Sequence, residues 1–409
     1  MMKQEHFIPI DKDILLQQQI IDGKFPENQA NDLTKLFEIL EHYFHYEGFN
    51  FNKIIKRNYV FFDPDKTAEE KEAYHATPNL TAFTENLDTV LTRGNYNELD
   101  HQIIEDALAN DDLIGLQLKI NFDYFKEYKV YFRGVENHSE WVKHRIFWKK
   151  EKEFETYQRV IVFIEYQDDT YFKENNIDVS KLSFEPGSIL LKTFKNVPKN
   201  DIETIFPNAE PVMSLKNKLV LWIPAIGGGV PLITTKVIPP ILTIYAAFKS
   251  GEIVKFTEVQ KPLTQGLIAL ALISAYLFRQ YKRFFNKKVE FSKMLSESLY
   301  FRNIANNSGV FPTLIDAAEE EEIKETILAY TFLLQSSAYL SAQELDERIE
   351  QWFRDTYNKE VDFDVEDALE KLQRLGISIE KDGKFSVVPI ADALEKVDAI
   401  WDGIFTYNQ

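Results

Sequence analysis

The chain has 409 residues, 44% hydrophobic and 27% charged, with a mean hydropathy of -0.30. That length suits two or three domains, and that average is too polar for a polytopic transporter. A net charge of -18 argues against a nucleic-acid partner, and the lack of cysteine removes disulfides, thiolate zinc sites, iron–sulfur clusters and thiol catalysis.

The N-terminus, MMKQEHFIPIDKDILLQQQ, has no uninterrupted apolar core and does not read as a secretory signal. Residues 1–110 are expected to be mainly helical. In DLTKLFEILEHYFHYEGF, residues Leu33, Leu36, Phe37, Leu40, Tyr43 and Phe44 form a helical stripe, and Gly48 reads as its stop. A polar surface excursion follows, then a second helical signal in YNELDHQIIEDALAN.

From Ile114 the period changes to two. Leu116, Leu118, Ile120 and Phe122 alternate with polar residues, then Tyr128, Val130 and Phe132 do the same, which predicts an antiparallel hairpin with one wet face. YQRVIVFIEY is apolar enough for a central strand, and SILLKTF makes a fourth strand after the Pro186-Gly187 turn. The expected fold class is α+β, with an antiparallel-sheet and helix domain over 111–212.

Residues 213–288 read as a membrane hairpin. Leu219 to Phe248 is thirty residues with one charge, Lys236, and Pro262 to Phe278 is seventeen with none. A span needs about 20 apolar residues. The second run is therefore short, and the first is too long and is broken by prolines and by Gly227, Gly228 and Gly229. Either Leu219 to Thr235 spans and leaves Lys236 at the far interface, or the segment bends or re-enters. The alternative is a helical hairpin buried in a soluble core. Lys216, Lys218, Arg279, Lys282, Arg283, Lys287 and Lys288 flank the two runs on one side, which places both large domains in the cytoplasm.

Residues 289–340 read as helix interrupted at Asn306–Gly309, and 341–409 as a winged-helix-like module. Ser341 with Glu344 makes a capping box, and Asp364 caps a second helix ended by Gly376. Lys381-Asp382-Gly383 turns a hairpin before a closing helix. This module holds 17 acidic and eight basic residues, a balance that favours docking a protein partner over DNA.

Candidate chemistry is sparse. His42 and His45 lack a third metal ligand and sit among Tyr43, Phe44 and Tyr46. His138, Glu140 and His144 lack zincin spacing. The glycine triplet is not followed by Gly-Lys-Ser/Thr, so it reads as a packing or kink element. Glu319 to Glu322 reads as a solvated helix face. No catalytic, cofactor or metal residue is assigned.

Several segments carry a resemblance: LLKTFKNVPKNDIETIFPNAEPVMSLKNKL, FRQY, SESLYFRNIANNSGVFPTLIDAAEEEEIKETILAYTFLL and VDFDVEDALEKLQRLGI. Over roughly residues 110 to 405 the chain resembles the uncharacterised membrane-protein family that includes transmembrane protein 143. That resemblance implies two transmembrane segments in this place and no established activity. Its motif positions fall on Phe194, Lys195, Pro198, Asp201, Glu203 and Pro207 before the apolar runs. After them come Glu297, Leu299, Tyr300, Asn303, Asn307, Gly309, Asp316, Glu319 and Glu320. Structurally, Pro198 starts a short helix, Asp201 and Glu203 suit its positive end, and Gly309 ends a turn. Functionally, the Asn and Glu positions make an ion-binding or regulatory face beneath the membrane. The expected function is a non-enzymatic membrane-anchored scaffold or sensor whose partners are the lipid bilayer, a protein at the C-terminal module and further copies of itself. An oligomeric channel or transporter and a lipid-acting enzyme are the alternatives.

Overall fold

The computed structural model describes residues 6–109, 116–144, 148–213, 227, 230–250 and 256–405. In chain order the main elements are α1 (Lys12–Asp22), α2 (Glu27–Tyr59), α3 (Leu80–Arg93), β1 (Asn97–Glu98), α4 (His101–Ala109) and β2 (Leu116–Lys119). Then come β3 (Phe125–His144), β4 (Trp148–Tyr166), β5 (Ile189–Pro198), β6 (Glu210–Met213), α5 (Ile238–Ser250) and α6 (Phe256–Arg302). The chain ends with β7 (Asn303–Asn306), α7 (Val310–Gln335), α8 (Ala342–Tyr357), α9 (Val365–Arg374), β8 (Ser378–Lys381), β9 (Lys384–Val387) and α10 (Ile390–Asp402). Helices and antiparallel sheets together make the fold α+β.

Contacts divide the chain into two units. The first takes Met1–Leu99, Asp123–Lys199 and Arg302–Gln409, and the second takes Asp100–Phe122 and Asn200–Phe301.

The first unit is built on an antiparallel sheet of order β1-β3-β4-β5-β7. Its centre is the apolar run of β4, where Val160, Ile161, Val162 and Ile164 are fully buried because both neighbouring strands and both sheet faces are covered. The alternating segment at 116–119 is a strand, but its expected hairpin partner is wrong. β2 pairs with β6 in the second unit, Leu116 opposite Met213, whereas the long hairpin joins β3 to β4. Period-two alternation marks a strand and is silent about its partner.

Helix α7 is the spine of this unit. Its first half, from Val310 to Ala318, packs in one apolar cluster with the sheet, α3 and the end of α2. Its second half, from Ile323 to Leu333, packs in another with α1, the start of α2 and the C-terminal elements. A helix buried on every side needs no amphipathic stripe, and every residue from Glu321 to Thr331 is buried.

Gly48 does not stop α2, which runs on to Tyr59. It lies where α2 crosses α7, and a Cβ there would sit 2.7 Å from Ile315 Cγ2 and 2.0 Å from Glu319 Oε1. The residue is there for close approach.

The C-terminal elements follow the expected order of helix, helix, hairpin, helix. Ser341 and Glu344 form the capping box of α8. Gly376 takes a φ of +67° after α9, and Asp382 and Gly383, at 54° and 71°, form the two-residue turn between β8 and β9.

Candidate functional site

Between the two apolar clusters of the first unit lies a layer of buried charge. Glu321, Glu322 and Glu325 of α7 are at most 2% exposed, as is Lys324. This corrects the solvated-face reading for Glu321 and Glu322, whereas Glu319 and Glu320 stay partly exposed; from Glu321 to Thr331 α7 is buried, so its charges there must find partners inside.

The partners come from four other segments. Arg93, at the end of α3, grips Glu322 with Nε and Nη2, the second contact at 2.8 Å. Asn95 donates to Glu321 (3.2 Å) and Glu325 (2.9 Å). Arg133 of β3 donates to the carbonyls of Gly94 and Ala317 and lies 3.8 Å from Glu321. Lys371 of α9 bonds Glu325 and, at 2.5 Å, Asp367.

The layer also holds the N-terminal segment. Ile8 N–H donates to Glu321 Oε2 (3.0 Å), Lys324 Nζ donates to Ile8 C=O (3.0 Å), and Asn95 donates to His6 C=O (3.3 Å). The Phe7 ring lies 4.7 Å from the Arg133 guanidinium and 5.6 Å from the Lys324 ammonium, so two cations face it. Segment 6–8 is thus tied down by three backbone bonds, of which those to the Glu321 carboxylate and the Lys324 ammonium are charge-assisted and stronger than a neutral one.

One ammonium serves two carboxylates at Lys371, and their environments separate them. Burial pushes the Glu325 carboxyl up to about 8, against the pull of Lys371. For Asp367, burial is outweighed by the attraction and hydrogen bond of Lys371, and its carboxyl is held below the usual range. Burial of Lys371 is likewise outweighed by Glu325, Glu322 and Asp367, which hold its proton on. The ionised pair is therefore Lys371 with Asp367, and Glu325 keeps a proton at neutral pH.

A pH dependence follows. Glu325 releases its proton near 4.5 when unfolded and near 8 when folded, so its contribution to stability is complete below the unfolded value and is lost as pH rises through 8. The melting temperature of the full chain is expected to decline between pH 5 and 8.5 and to decline less in Glu325→Gln, which has no proton to lose. Equal slopes by circular dichroism would refute this assignment.

Beside the charged layer, a surface cleft of about 500 Å³ is lined by Asp11, Lys12, Glu41, His42, His45, Asp316, Glu319 and Glu320. His45 Nδ1 contacts Glu319 at 3.1 Å, whereas His42 packs edge-on against Trp401. Among the described residues, no group of three or more His, Asp or Glu is placed to hold a metal. His138 lies against Glu136 at 3.3 Å on β3, and nothing is described for the side chains of Glu140 and His144.

The positions that carry the resemblance are shared between the two units. Phe194 is buried in β5 opposite Asn303 of β7. Asn307, at a φ of 48°, accepts from Leu191 N–H (3.3 Å) and donates to Asp65 (2.7 Å), tying the sheet to the loop after α2. Glu319 meets His45, and Glu320 meets Lys324 at 2.8 Å. Asp316 is exposed on α7, and Gly309 precedes that helix. Lys195 is exposed on β5, which ends at Pro198. Asp201 and Glu203 lie in the 3-10 stretch Lys199–Ile205, and Pro207 follows it. Glu297, Leu299 and Tyr300 are on α6 in the second unit, Glu297 3.7 Å from Lys293.

In the second unit, Val230–Ser250 and Gln260–Arg302 are long and apolar enough to cross a membrane. Only 6% and 11% of their most apolar windows are buried among the described residues. The first contains a π-turn, Ile233–Val237, just before Pro239-Pro240. Neither proline has an N–H to donate and each ring crowds the carbonyl four residues back, so a wider turn there relieves the clash. Lys236 lies in that turn and is exposed. Its carbonyl would be 2.9 Å from a Cβ on Gly266, and Ala269 one turn on is 4% exposed, so small residues of α6 let the two helices touch. Gly227 is helical with open space around it; Gly228, Gly229 and residues 214–226 lie outside the described residues.

α6 continues beyond the apolar run through the basic cluster to Arg302, 47 residues in all, on the order of 70 Å.

Comparison with family profiles matches residues 157–309 to a family described as protein of unknown function (DUF3754). A DUF3754 domain is found there. It takes in the apolar half of β4, then β5, β6, both long apolar helices and β7. Asp316, Glu319, Glu320 and the buried charges of α7 fall beyond the DUF3754 match. Nothing in the match links it to transmembrane protein 143, and no solved structure matches the chain.

Arg93, Asn95, Arg133 and Lys371 were invisible as a group, because each is an ordinary polar residue in its own segment. One signal was available. The acidic run is followed by ILAYTFLL, apolar on all sides of a helix, which marks a helix buried all round just beyond the charges.

Proposed function

We propose that this chain is a membrane-anchored, non-enzymatic scaffold or sensor, inserted through its two apolar helices with the first unit in the cytoplasm. The observation that carries the reading is the exposure of those helices. Ile241, Leu242, Phe248, Leu267, Ile268 and Leu272 are each more than half exposed, a surface that water disfavours and hydrocarbon accepts. The seven basic flanking residues support the orientation. The resemblance to the transmembrane protein 143 family is consistent with the same anchoring. The C-terminal elements, read as a winged-helix-like module, carry a balance of 17 acidic and eight basic residues that suits a protein partner.

The cysteine-free chain makes the test direct. Single cysteines replacing Glu153, Glu347 and Lys249 are expected to react with a membrane-impermeant maleimide differently. Lys249→Cys should label on intact cells, and the other two only after the cells are opened. Release of the chain from membranes by alkaline carbonate, or labelling of Glu347→Cys from outside, would overturn the reading.

A second reading is a channel built from several hairpins. It is favoured by the exposed Lys236 in its π-turn, a geometry often found at functional sites. Bilayer conductance abolished by Lys236→Met would select it.

A further inference from the structure

The stretch of α6 that follows the second apolar run has a character of its own. Between Glu258 and Glu290 the chain has no acidic residue, while Arg279, Lys282, Arg283, Lys287 and Lys288 fall within ten positions. In a protein of net charge -18 this is a local reversal of sign. None of the five side chains makes an ion pair or hydrogen bond to another described residue; the nearest ion pair along the helix, Lys293 with Glu297, comes a turn later.

The helix sorts this stretch into two faces. At about 100° per residue, Arg279, Lys282, Arg283 and Lys287 share an arc of roughly 140°. Phe278, Tyr281, Phe285 and Val289 share the opposite one, and each is more than half exposed. Tyr281 and Phe285 stack with centroids 6.4 Å apart. Arg279 comes directly after the apolar run, and Lys288 lies about 14 Å further along the helix. That interval matches the headgroup layer plus roughly one Debye length of water.

We propose that Arg279–Lys288 binds the phosphate headgroups of anionic phospholipids. The arginines at 279 and 283, one turn apart, offer forked donors to phosphate oxygens. Lys282 and Lys287 extend along the same face, Lys288 adds a cation on the other side of the helix, and the aromatic face takes the lipid side of the interface. This inference rests on the membrane-anchored reading above and adds to it a selection among lipids.

The full chain is reconstituted in vesicles of equal phosphatidylcholine and phosphatidylglycerol, then withdrawn in mild detergent, and the lipid that stays with it is quantified by mass spectrometry. At 0.1 M NaCl the anionic lipid is expected to be enriched about threefold or more, falling towards parity at 0.5 M as the charges are screened. The variant R279Q/K282Q/R283Q/K287Q/K288Q is expected to lose the enrichment, and R279K/R283K, which keeps the charge, to retain most of it. Parity in the native chain, or enrichment unchanged in the five-site variant, overturns the proposal while leaving the anchor intact. Failure of the chain to stay with vesicles at all would instead refute the anchored reading. An oligonucleotide retained through these same five residues, with no lipid preference, would overturn the proposal in favour of nucleic acid.

Discussion

Arg93→Ala is expected to destabilise the first unit by about 3–5 kcal/mol, because it leaves Glu322 as an uncompensated buried carboxylate. Glu322 is 2% exposed and holds the guanidinium through both of its oxygens. At roughly 2–4 °C per kcal/mol for a body of this size, the loss is a fall in melting temperature on the order of 10 °C. The decisive comparison is Arg93→Met with Glu322→Leu. Two apolar side chains of similar volume avoid the desolvation of both ions, so the double variant should recover most of the stability. If Arg93→Ala melted within about 1 °C of the native chain, the layer would not be the closed ionic network described here.

That layer shows where sequence reasoning stops. The C-terminal punctuation was legible because each signal acts over a few residues. Ser341 reaches Glu344, Gly376 supplies one left-handed position, and Asp382-Gly383 makes one turn. Strand β4 was legible because being covered on both faces writes a continuous apolar run. The apolar helices were legible for the same kind of reason. The partner of β2 was not, because it lies far along the chain at Glu210–Met213 and strand alternation does not encode pairing. Glu321 and Glu322 were misread because charge patterning assumes that a helix has a wet side. Which face of α7 is covered depends on residues as distant as Ile8, Arg93 and Lys371, and no local rule reaches them.

The crossing of α2 and α7 at Gly48 is a second feature of this nonlocal kind, and its substitution should run against helix propensity. In an exposed helix interior, Gly→Ala gains about 1 kcal/mol. At Gly48 the added methyl would overlap Ile315 Cγ2 and the Glu319 carboxylate. Ile315 is 5% exposed in the apolar cluster that α7 shares with the sheet and α3, and it is β-branched, so it has little room to turn away. Overpacking of this sort costs about 1–3 kcal/mol, so Gly48→Ala is expected to lower the melting temperature, and Gly48→Leu to lower it further by levering α2 off α7. Adding Glu319→Ala separates the two clashes. It removes the flexible carboxylate and leaves the methyl of Ile315, so the pair Gly48→Ala with Glu319→Ala should recover only part of the loss. Full recovery would place the whole contact on Glu319. A rise in stability with Gly48→Ala alone would mean that the two helices do not approach as closely as the glycine allows, and that Gly48 contributes only flexibility to α2.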